Sequence, residues 1–567
     1  MKAYAEYQLW LKSIVDEEIV KELKDMAEDL EHIIDAFYKN LAFGTGGLRG
    51  IIGVGTNRMN IYTVRKASQG IANYIKKKYP EQERKIAISY DSRIKSDAFA
   101  RTAAEVYAAN GIQVEMYSQL MPTPCLSYAV RELECAAGVM ITASHNPAKY
   151  NGYKVYDADG CQITTETAKL ILFEMEQVDL FTDVKQMDFE EAVEAGLVSY
   201  ISEEISTRYI EQVKSQTMIS SDKHVNQNIK IVYSPLNGTG LKPVLRTLKE
   251  SGYINIEVVK EQEEPDGHFP TCPYPNPEVK EAMALGLQYA EKQNAEIFLA
   301  TDPDCDRVGI AVKDSEGKYI LLSGNETGVL LLDYICLCRV ANGTMPTDAV
   351  MVKSIVTTEL AERIAEHYGV KTINVLTGFK YIGEYIGTLE KAGNKDSFIF
   401  AFEESCGYLS GSYVREKDAV NGAFLICEMA AFYKNRGITL MDRLNELYQI
   451  YGFQLNSLHT FTFEGIAGDE KMQRIMRKYR VNVHAIGEKE VIQCLDYANG
   501  LKGLPKSDVL KFVLEDGCSV VIRPSGTEPK LKLYISVRAK SKEEASIVEQ
   551  DLLQHIIADM SDISPSV

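Results

Sequence analysis

The stretch Ala295–Arg307, "AEIFLATDPDCDR", sets the architecture of the chain. A compact apolar run stops abruptly at Asp302, and a loop with three aspartates follows. A short apolar run bounded by turn signals reads as a buried strand. The arrangement occurs twice more: "AGVMIT" at 137–142 runs into "ASHNP", and "SFIFAFE" at 397–403 leads into "EESCGY". Ahead of each such strand a glycine opens a shorter one: Gly111 before "IQVEMY", Gly252 before "YINIEVV", Gly369 before "VKTINVL". A helical stretch lies between. Strand, helix and buried strand in this order predict successive α/β domains with mixed, mainly parallel sheets. Ligands bind beyond the carboxyl ends of such strands, where all three polar loops fall.

The flanks differ. Residues 1–40 carry apolar side chains at helical spacing (Leu9, Leu11, Ile14, Val15, Ile19, Leu23) and read as a helical extension. Near the C-terminus, Asp516-Gly517 between two apolar runs predicts a hairpin. "KLKLYISV" alternates and predicts a half-buried strand, and Ser541 with Glu544 predicts a helix start. A chain of 567 residues fits three to five domains at roughly 150 residues each. The expected division is an extension (1–40), three α/β domains (41–215, 216–322, 323–453) and an antiparallel α+β domain (454–567), around a central cleft.

A net charge of -18 repels nucleic acid and anionic membrane, so an anionic substrate needs a local basic pocket. The first residues lack a secretory apolar core, and no apolar run approaches the roughly 18 residues of a spanning helix. The 11 cysteines include no C-x-x-C pair. A reduced, cytosolic protein with neither disulfides nor a zinc site is expected.

Asp302, Asp304 and Asp306 stand at every second position. In an extended chain all three would point one way, with Cys305 opposite. Converging carboxylates need a cation, and oxygen ligands suit a hard ion such as Mg²⁺. Ser144, followed by His145, Asn146 and Pro147, ends its own strand. An unactivated serine is a weak nucleophile, but a metal could act on a phosphoryl group it carries. "RPSGTEP" has the parts of a phosphate cradle: Arg523 to fork two oxygens, Ser525 and Thr527 hydroxyls, and Gly526 for backbone approach. "FEESCGY" offers Glu403 and Ser405 to sugar hydroxyls. "LTGFKYIG" places Thr377, Gly378 and Lys380 in a turn, and "FGTGGLRG" brings Arg49.

"TASHNP", "DPDCDR", "EESCG" and "RPSGTEP", in that order along nearly the whole chain, resemble the α-D-phosphohexomutase superfamily. "FGTGGLRG" and the helical extension look like its long phosphoglucomutase/phosphopentomutase branch. The resemblance implies that Ser144 is a phosphoserine and that Asp302, Asp304 and Asp306, with the Ser144 phosphoryl group, hold one Mg²⁺. It implies that Arg307 faces the phosphoserine and that Glu403 and Ser405 read the sugar. Thr377, Gly378, Lys380 and the Arg523–Thr527 loop would bind substrate. Arg49, His145 and Lys154 would sit at the transfer centre, Lys154 as acid–base group with a pKa depressed by neighbouring cations. The expected partners are small sugar phosphates, with glucose 1,6-bisphosphate as intermediate and activator, acting on a monomer or weak dimer. Phe379-Lys380 and Tyr408 stand where dual-specific members carry histidines, which argues against mannose. Glucose against pentose stays open. A Mg²⁺-dependent sugar phosphatase and a non-catalytic sugar-phosphate sensor are the rivals from other classes.

Overall fold

A computed structural model describes residues 2–44, 46–80, 84–220, 225–463, 465–481, 483–501, 503–525 and 530–561. Among them, four sheets follow one another along the chain. The first runs, in spatial order, Phe43–Gly44, Gly47–Ile51, Tyr150–Asp157, Ala137–Ile141, Lys85–Tyr90, Gln113–Met116 and Val198–Tyr200. Its last four strands pair in parallel and the rest antiparallel. The second centres on Ile297–Thr301, parallel to Ile231–Ser234 and antiparallel to Val308–Lys313. In the third, Phe398–Glu403 lies parallel to Val350–Ser354 and antiparallel to Gly407–Leu409. The strands Ala137–Ile141, Ile297–Thr301 and Phe398–Glu403 are buried along their whole length, as central strands covered on both faces must be. The fourth sheet is antiparallel throughout.

One hydrophobic core, from Tyr117 to Leu447, runs through the second and third sheets and the helices Thr123–Glu132 and Glu203–Lys214 of the first domain, and fastens the three domains together. Polar contacts reinforce the seam between the first and third: Arg131 and the fully buried Arg415 share the Glu390 carboxylate, at 2.9 and 2.5 Å. The fourth sheet has its own core, Met472 to Met560. A small cluster that includes Ile355, Val356 and Leu376 joins it to the third, against Val521 and Tyr534.

Local expectations are met in detail at the C-terminal hairpin. Asp516 (φ 57°) and Gly517 (φ 75°) are both left-handed, and Cys518 N–H closes the turn on Glu515 O at 3.2 Å. Ser541 Oγ accepts the Glu544 N–H at 3.3 Å, while Glu544 reaches back to the Lys540 N–H. Two expectations need correction. The strand Lys530–Ala539 buries Leu531, Leu533, Ile535 and Val537, but Tyr534 and Ser536 on the other face are buried too. That face packs against the third domain. The N-terminal extension is three helices, Lys2–Ser13, Glu17–Asp25 and Leu30–Phe37, with Asp16 capping the second through the Ile19 N–H at 3.0 Å. Breaking the helix shifts the buried stripe to Tyr7, Trp10, Ile14, Ile19 and Leu23, leaving Leu9 and Val15 exposed. All 11 cysteines are free thiols. No helix among the described residues is long and apolar enough to cross a membrane.

Candidate active site

Each central strand delivers its loop to one place. Ser144 lies three residues past its strand, in a left-handed conformation (φ 52°). Cys305 (φ 51°) and Cys406 (φ 60°) take the same conformation in the other two loops. Such backbone costs roughly 1–2 kcal/mol per non-glycine residue, and it persists only where the surroundings fix it. Arg93 provides that fixing for the serine. It donates through Nη2 to Ser144 O at 2.6 Å and to Asn146 O, and through Nη1 to Pro147 O and Tyr150 O at 3.0 Å each. Asp91, buried with it, holds the guanidinium from behind at 3.4 Å.

The Ser144 hydroxyl is 3.0 Å from Asp302 Oδ2 and 3.1 Å from His145 Nδ1. The residue is only 3% exposed, so the hydroxyl is shielded from bulk water. Burial, together with Arg307 and Arg49, holds the His145 pKa well below its ordinary value, so the imidazole is neutral and can accept from the hydroxyl.

Asp302, Asp304 and Asp306 offer ligand oxygens that all lie within 4.8 Å of one another. They converge through a turn, not through extended alternation: Cys305 N–H bonds back to Asp302 O at 2.9 Å. The aspartate backbones turn around Cys305, whose side chain is buried. Asp302 Oδ1 accepts the Asp306 and Arg307 N–H groups at 3.1 and 2.9 Å. Asp304 Oδ1 and Asp306 Oδ1 are buried and, among the described residues, without a hydrogen-bond partner. Burial and the two neighbouring carboxylates push the Asp302 pKa well above the carboxylate range. Two orphaned oxygens and a carboxylate that resists ionising fit a site built for a divalent cation.

Cations ring this cluster. Lys154 Nζ is 2.7 Å from Asp304 Oδ2 and 3.3 Å from Asp306 Oδ2. Lys417 Nζ is 3.0 Å from Asp306 Oδ2 and 3.1 Å from Glu416 Oε1. Arg307 pairs with Glu278 at 2.6 Å. The expected depression of the Lys154 pKa is overturned. Burial does work against its charge, but Asp304 and Asp306 outweigh burial and raise the pKa. Anions, not cations, are its nearest neighbours. Arg49, opposite Gly152 in the register, shares a sheet face with Lys154 and donates to Asn146 Oδ1 at 3.2 Å. Gly152 is required there, since a Cβ would stand 2.5 Å from Thr142 O.

The sugar-reading candidates lie in the third domain. Glu403 Oε1 accepts the Gly378 N–H at 2.8 Å, and Gly378 has φ 119°, a backbone that favours glycine. Burial and the adjacent Glu404 raise the Glu403 pKa to about 7. Thr377 Oγ1 is buried and, among the described residues, has no hydrogen-bond partner. Lys380 is the second residue of the helix Phe379–Lys391 and is buried, which lowers its pKa, and the positive charge of Arg523 adds to that effect. Ser405 is half-buried in the loop after Glu403. Arg523, from the strand Ser519–Pro524, thus reaches across to the third domain. Ser525 N–H donates to Lys530 O at 2.7 Å. Gly526 and Thr527 lie outside the described residues.

Sequence reasoning missed Arg93 and Lys417. Arg93 follows the strand Lys85–Tyr90 in "YDSR", the same strand-into-polar-loop signal that exposed Ser144. Lys417, in "REKD" before the helix Ala419–Lys434, carried no comparable signal.

The comparisons with known proteins agree with this architecture. Models of the phosphoglucomutase/phosphomannomutase family match alpha/beta/alpha domain I at residues 40–180, domain II at 207–317, domain III at 323–451 and the C-terminal domain at 470–553. The chain belongs to this family, and so to the α-D-phosphohexomutase superfamily of phosphotransferring enzymes. It is 37% identical to a phosphoglucomutase of Staphylococcus saprophyticus over 549 residues, 94% of this chain and 97% of the relative. It is 35% identical to a Staphylococcus aureus phosphoglucomutase over 554 residues, 95% and 97% of the two chains. In fold it resembles the open form of pp63/parafusin, a phosphoglucomutase from Paramecium (TM-score 0.68, 18% identity, covering 94% of this chain and 97% of that one). It also resembles a phosphoglucomutase/phosphomannomutase family protein from Burkholderia thailandensis (TM-score 0.68, 18% identity, 92% and 99%).

Proposed function

We propose that this chain interconverts glucose 1-phosphate and glucose 6-phosphate through phospho-Ser144 and glucose 1,6-bisphosphate. The observation that carries the reading is the Ser144 hydroxyl 3.0 Å from Asp302, at the edge of a buried aspartate triplet ringed by cations. The phosphoglucomutases among its relatives favour glucose as the sugar.

In the first half-reaction the Ser144 Oγ–P bond breaks as a bond from phosphorus to the sugar hydroxyl oxygen forms; the hydroxyl proton is lost and the serine oxygen gains one. In the return transfer the other phosphate's bond to the sugar oxygen breaks as the bond from phosphorus to Ser144 Oγ forms; the serine proton is lost and the sugar oxygen gains one. Lys154, kept protonated by Asp304 and Asp306, gives its proton to the leaving Oγ and regains one from the sugar hydroxyl, which balances the step. In the return transfer, neutral His145, with Nδ1 3.1 Å from Ser144 Oγ, flanks the attacking serine. Arg307 and Lys417 offset charge on the moving group, and Arg49 orders the serine loop through Asn146. Glu403 and Ser405 orient the sugar, and Lys380, Thr377 and the Arg523 loop hold the idle phosphate. Positioning and charge neutralisation are what phosphoryl transfer chiefly needs. A Mg²⁺ ion held by Asp302, Asp304 and Asp306 would supply Lewis-acid stabilisation of the phosphoryl oxygens when bound.

A substrate panel with catalytic glucose 1,6-bisphosphate and Mg²⁺ tests the reading. Glucose 1-phosphate should give the highest kcat/KM, at least about tenfold above ribose 1-phosphate and mannose 1-phosphate, a margin that one or two hydroxyl contacts can produce. A preference for the pentose or mannose would reassign the sugar. Release of free phosphate without isomer would replace the mutase reading with a phosphatase.

A further inference from the structure

The segment Ser354–Glu359, which follows the strand Val350–Ser354, touches two functional regions at once. At its start, Ser354 Oγ and Thr357 Oγ1 both donate to Glu404 Oε2 at 3.2 Å, next to the sugar-reading Glu403. At its end, Glu359 faces the fourth domain. Glu359 Oε1 accepts from Lys511 Nζ at 2.9 Å and Ser519 Oγ at 3.0 Å, and Oε2 accepts from Ser536 Oγ at 2.8 Å. Lys511 Nζ also donates to Ile355 O at 2.8 Å. Three strands of the C-terminal sheet therefore converge on one carboxylate. One of them, Ser519–Pro524, carries Arg523 four residues beyond Ser519.

Elsewhere along the seam Arg363 Nη2 donates to Gln454 Oε1 at 2.6 Å. The C-terminal sheet keeps a separate core, and its apolar contact with the third domain is a small cluster. A cavity of about 440 Å³ opens beside the network, lined in part by Glu359, Lys511 and Ser519, so the seam is incompletely packed on that side. A strong ionic contact in a thinly packed seam sets orientation more than stability. Burial works against the Glu359 charge, but Lys511 and the fully buried Lys353 outweigh it and bring the pKa to about 2. The carboxylate is ionised throughout the working pH range.

We propose that Glu359 is a positioning residue: it docks the phosphate-binding domain on the third domain and sets where Arg523 stands relative to the sugar-reading loop. Glu359 touches no reacting atom. The segment 354–359 ties the reading of the sugar to the grip on its idle phosphate. This inference rests on the mutase reading above.

The test is a double-mutant cycle on the full chain, with glucose 1-phosphate, saturating glucose 1,6-bisphosphate and Mg²⁺. Glu359→Gln should raise KM about tenfold and leave kcat within about twofold, because it removes binding to the non-reacting phosphate. In an Arg523→Ala background the same substitution should change KM less than about twofold, since the residue acts through that arginine. Ser519→Ala and Ser536→Ala each remove one hydroxyl donor to Glu359 without stranding a charge. They should show smaller increases with the same non-additivity, so the proposal stays testable if Glu359→Gln folds poorly. Unchanged KM in the serine variants and Glu359→Gln, or effects fully additive with Arg523→Ala, would overturn it. A wild-type chain without mutase activity would instead overturn the functional reading.

Discussion

Arg93 donates to the backbone oxygen of Ser144 at 2.6 Å, and to three more carbonyls of the same loop. One buried guanidinium thus holds the serine in its left-handed conformation. Lysine keeps the charge but cannot present the fork. Arg93→Lys should lower kcat about a hundredfold through misplacement of the nucleophile, with a native far-UV spectrum. Steady-state kinetics beside circular dichroism check this. Activity near the wild-type level would mean that the loop holds itself.

The orphaned oxygens of Asp304 and Asp306 predict that a cation stabilises the fold as well as the reaction. Adding Mg²⁺ to chelator-treated protein should raise Tm. The gain should approach about 2.7 kcal/mol at a hundredfold excess over Kd. Asp304→Asn should lose most of that shift. A wild-type Tm indifferent to Mg²⁺ would contradict the assignment of the site.

Glu403 predicts a pH dependence of stability. Its pKa is raised from 4.5 to about 7 by burial and by Glu404. Across that window the native state holds a proton that the unfolded chain has lost. Stability therefore falls as pH rises from about 4.5 and levels off above about 7. Glu403→Gln should remove a decline on the order of 3 kcal/mol. Urea midpoints at pH 5 and pH 8, with metal held constant, measure it. Equal declines in variant and wild type would refute the assignment.

Lys154 stays protonated beside Asp304 and Asp306. The profile of kcat against pH should show no loss of a basic lysine between pH 7 and 9. Lys154→Met should lower kcat by at least about a hundredfold, the usual share of a proton-transfer group. An ionisation near pH 8 that vanishes in the variant would restore a lysine with a depressed pKa.

The sequence exposed most of this site because its loops follow buried strands. Ala137–Ile141, Ile297–Thr301 and Phe398–Glu403 are short apolar runs with abrupt polar ends, so Ser144, the aspartates and Glu403 stood out together. The direction of the Lys154 shift was not legible, because it depends on which charges lie nearest. Asp304 and Asp306 are about 150 residues away in the chain. The buried outer face of Lys530–Ala539 was hidden for the same reason: its alternation reads as exposed until the third domain is seen to cover Tyr534. Lys417 joins the site only through tertiary contact with Asp306.

The central claim is that the oxygen of Ser144 carries the phosphoryl group. Intact-mass measurement after incubation with glucose 1,6-bisphosphate and Mg²⁺ tests it most directly. One phosphoryl adduct should appear on the wild-type chain, persist while excess glucose 1-phosphate is converted without added bisphosphate, because each return transfer rebuilds it, and be absent from Ser144→Ala. A wild-type chain that never gains the adduct, or a Ser144→Ala chain that gains it equally, would contradict the account.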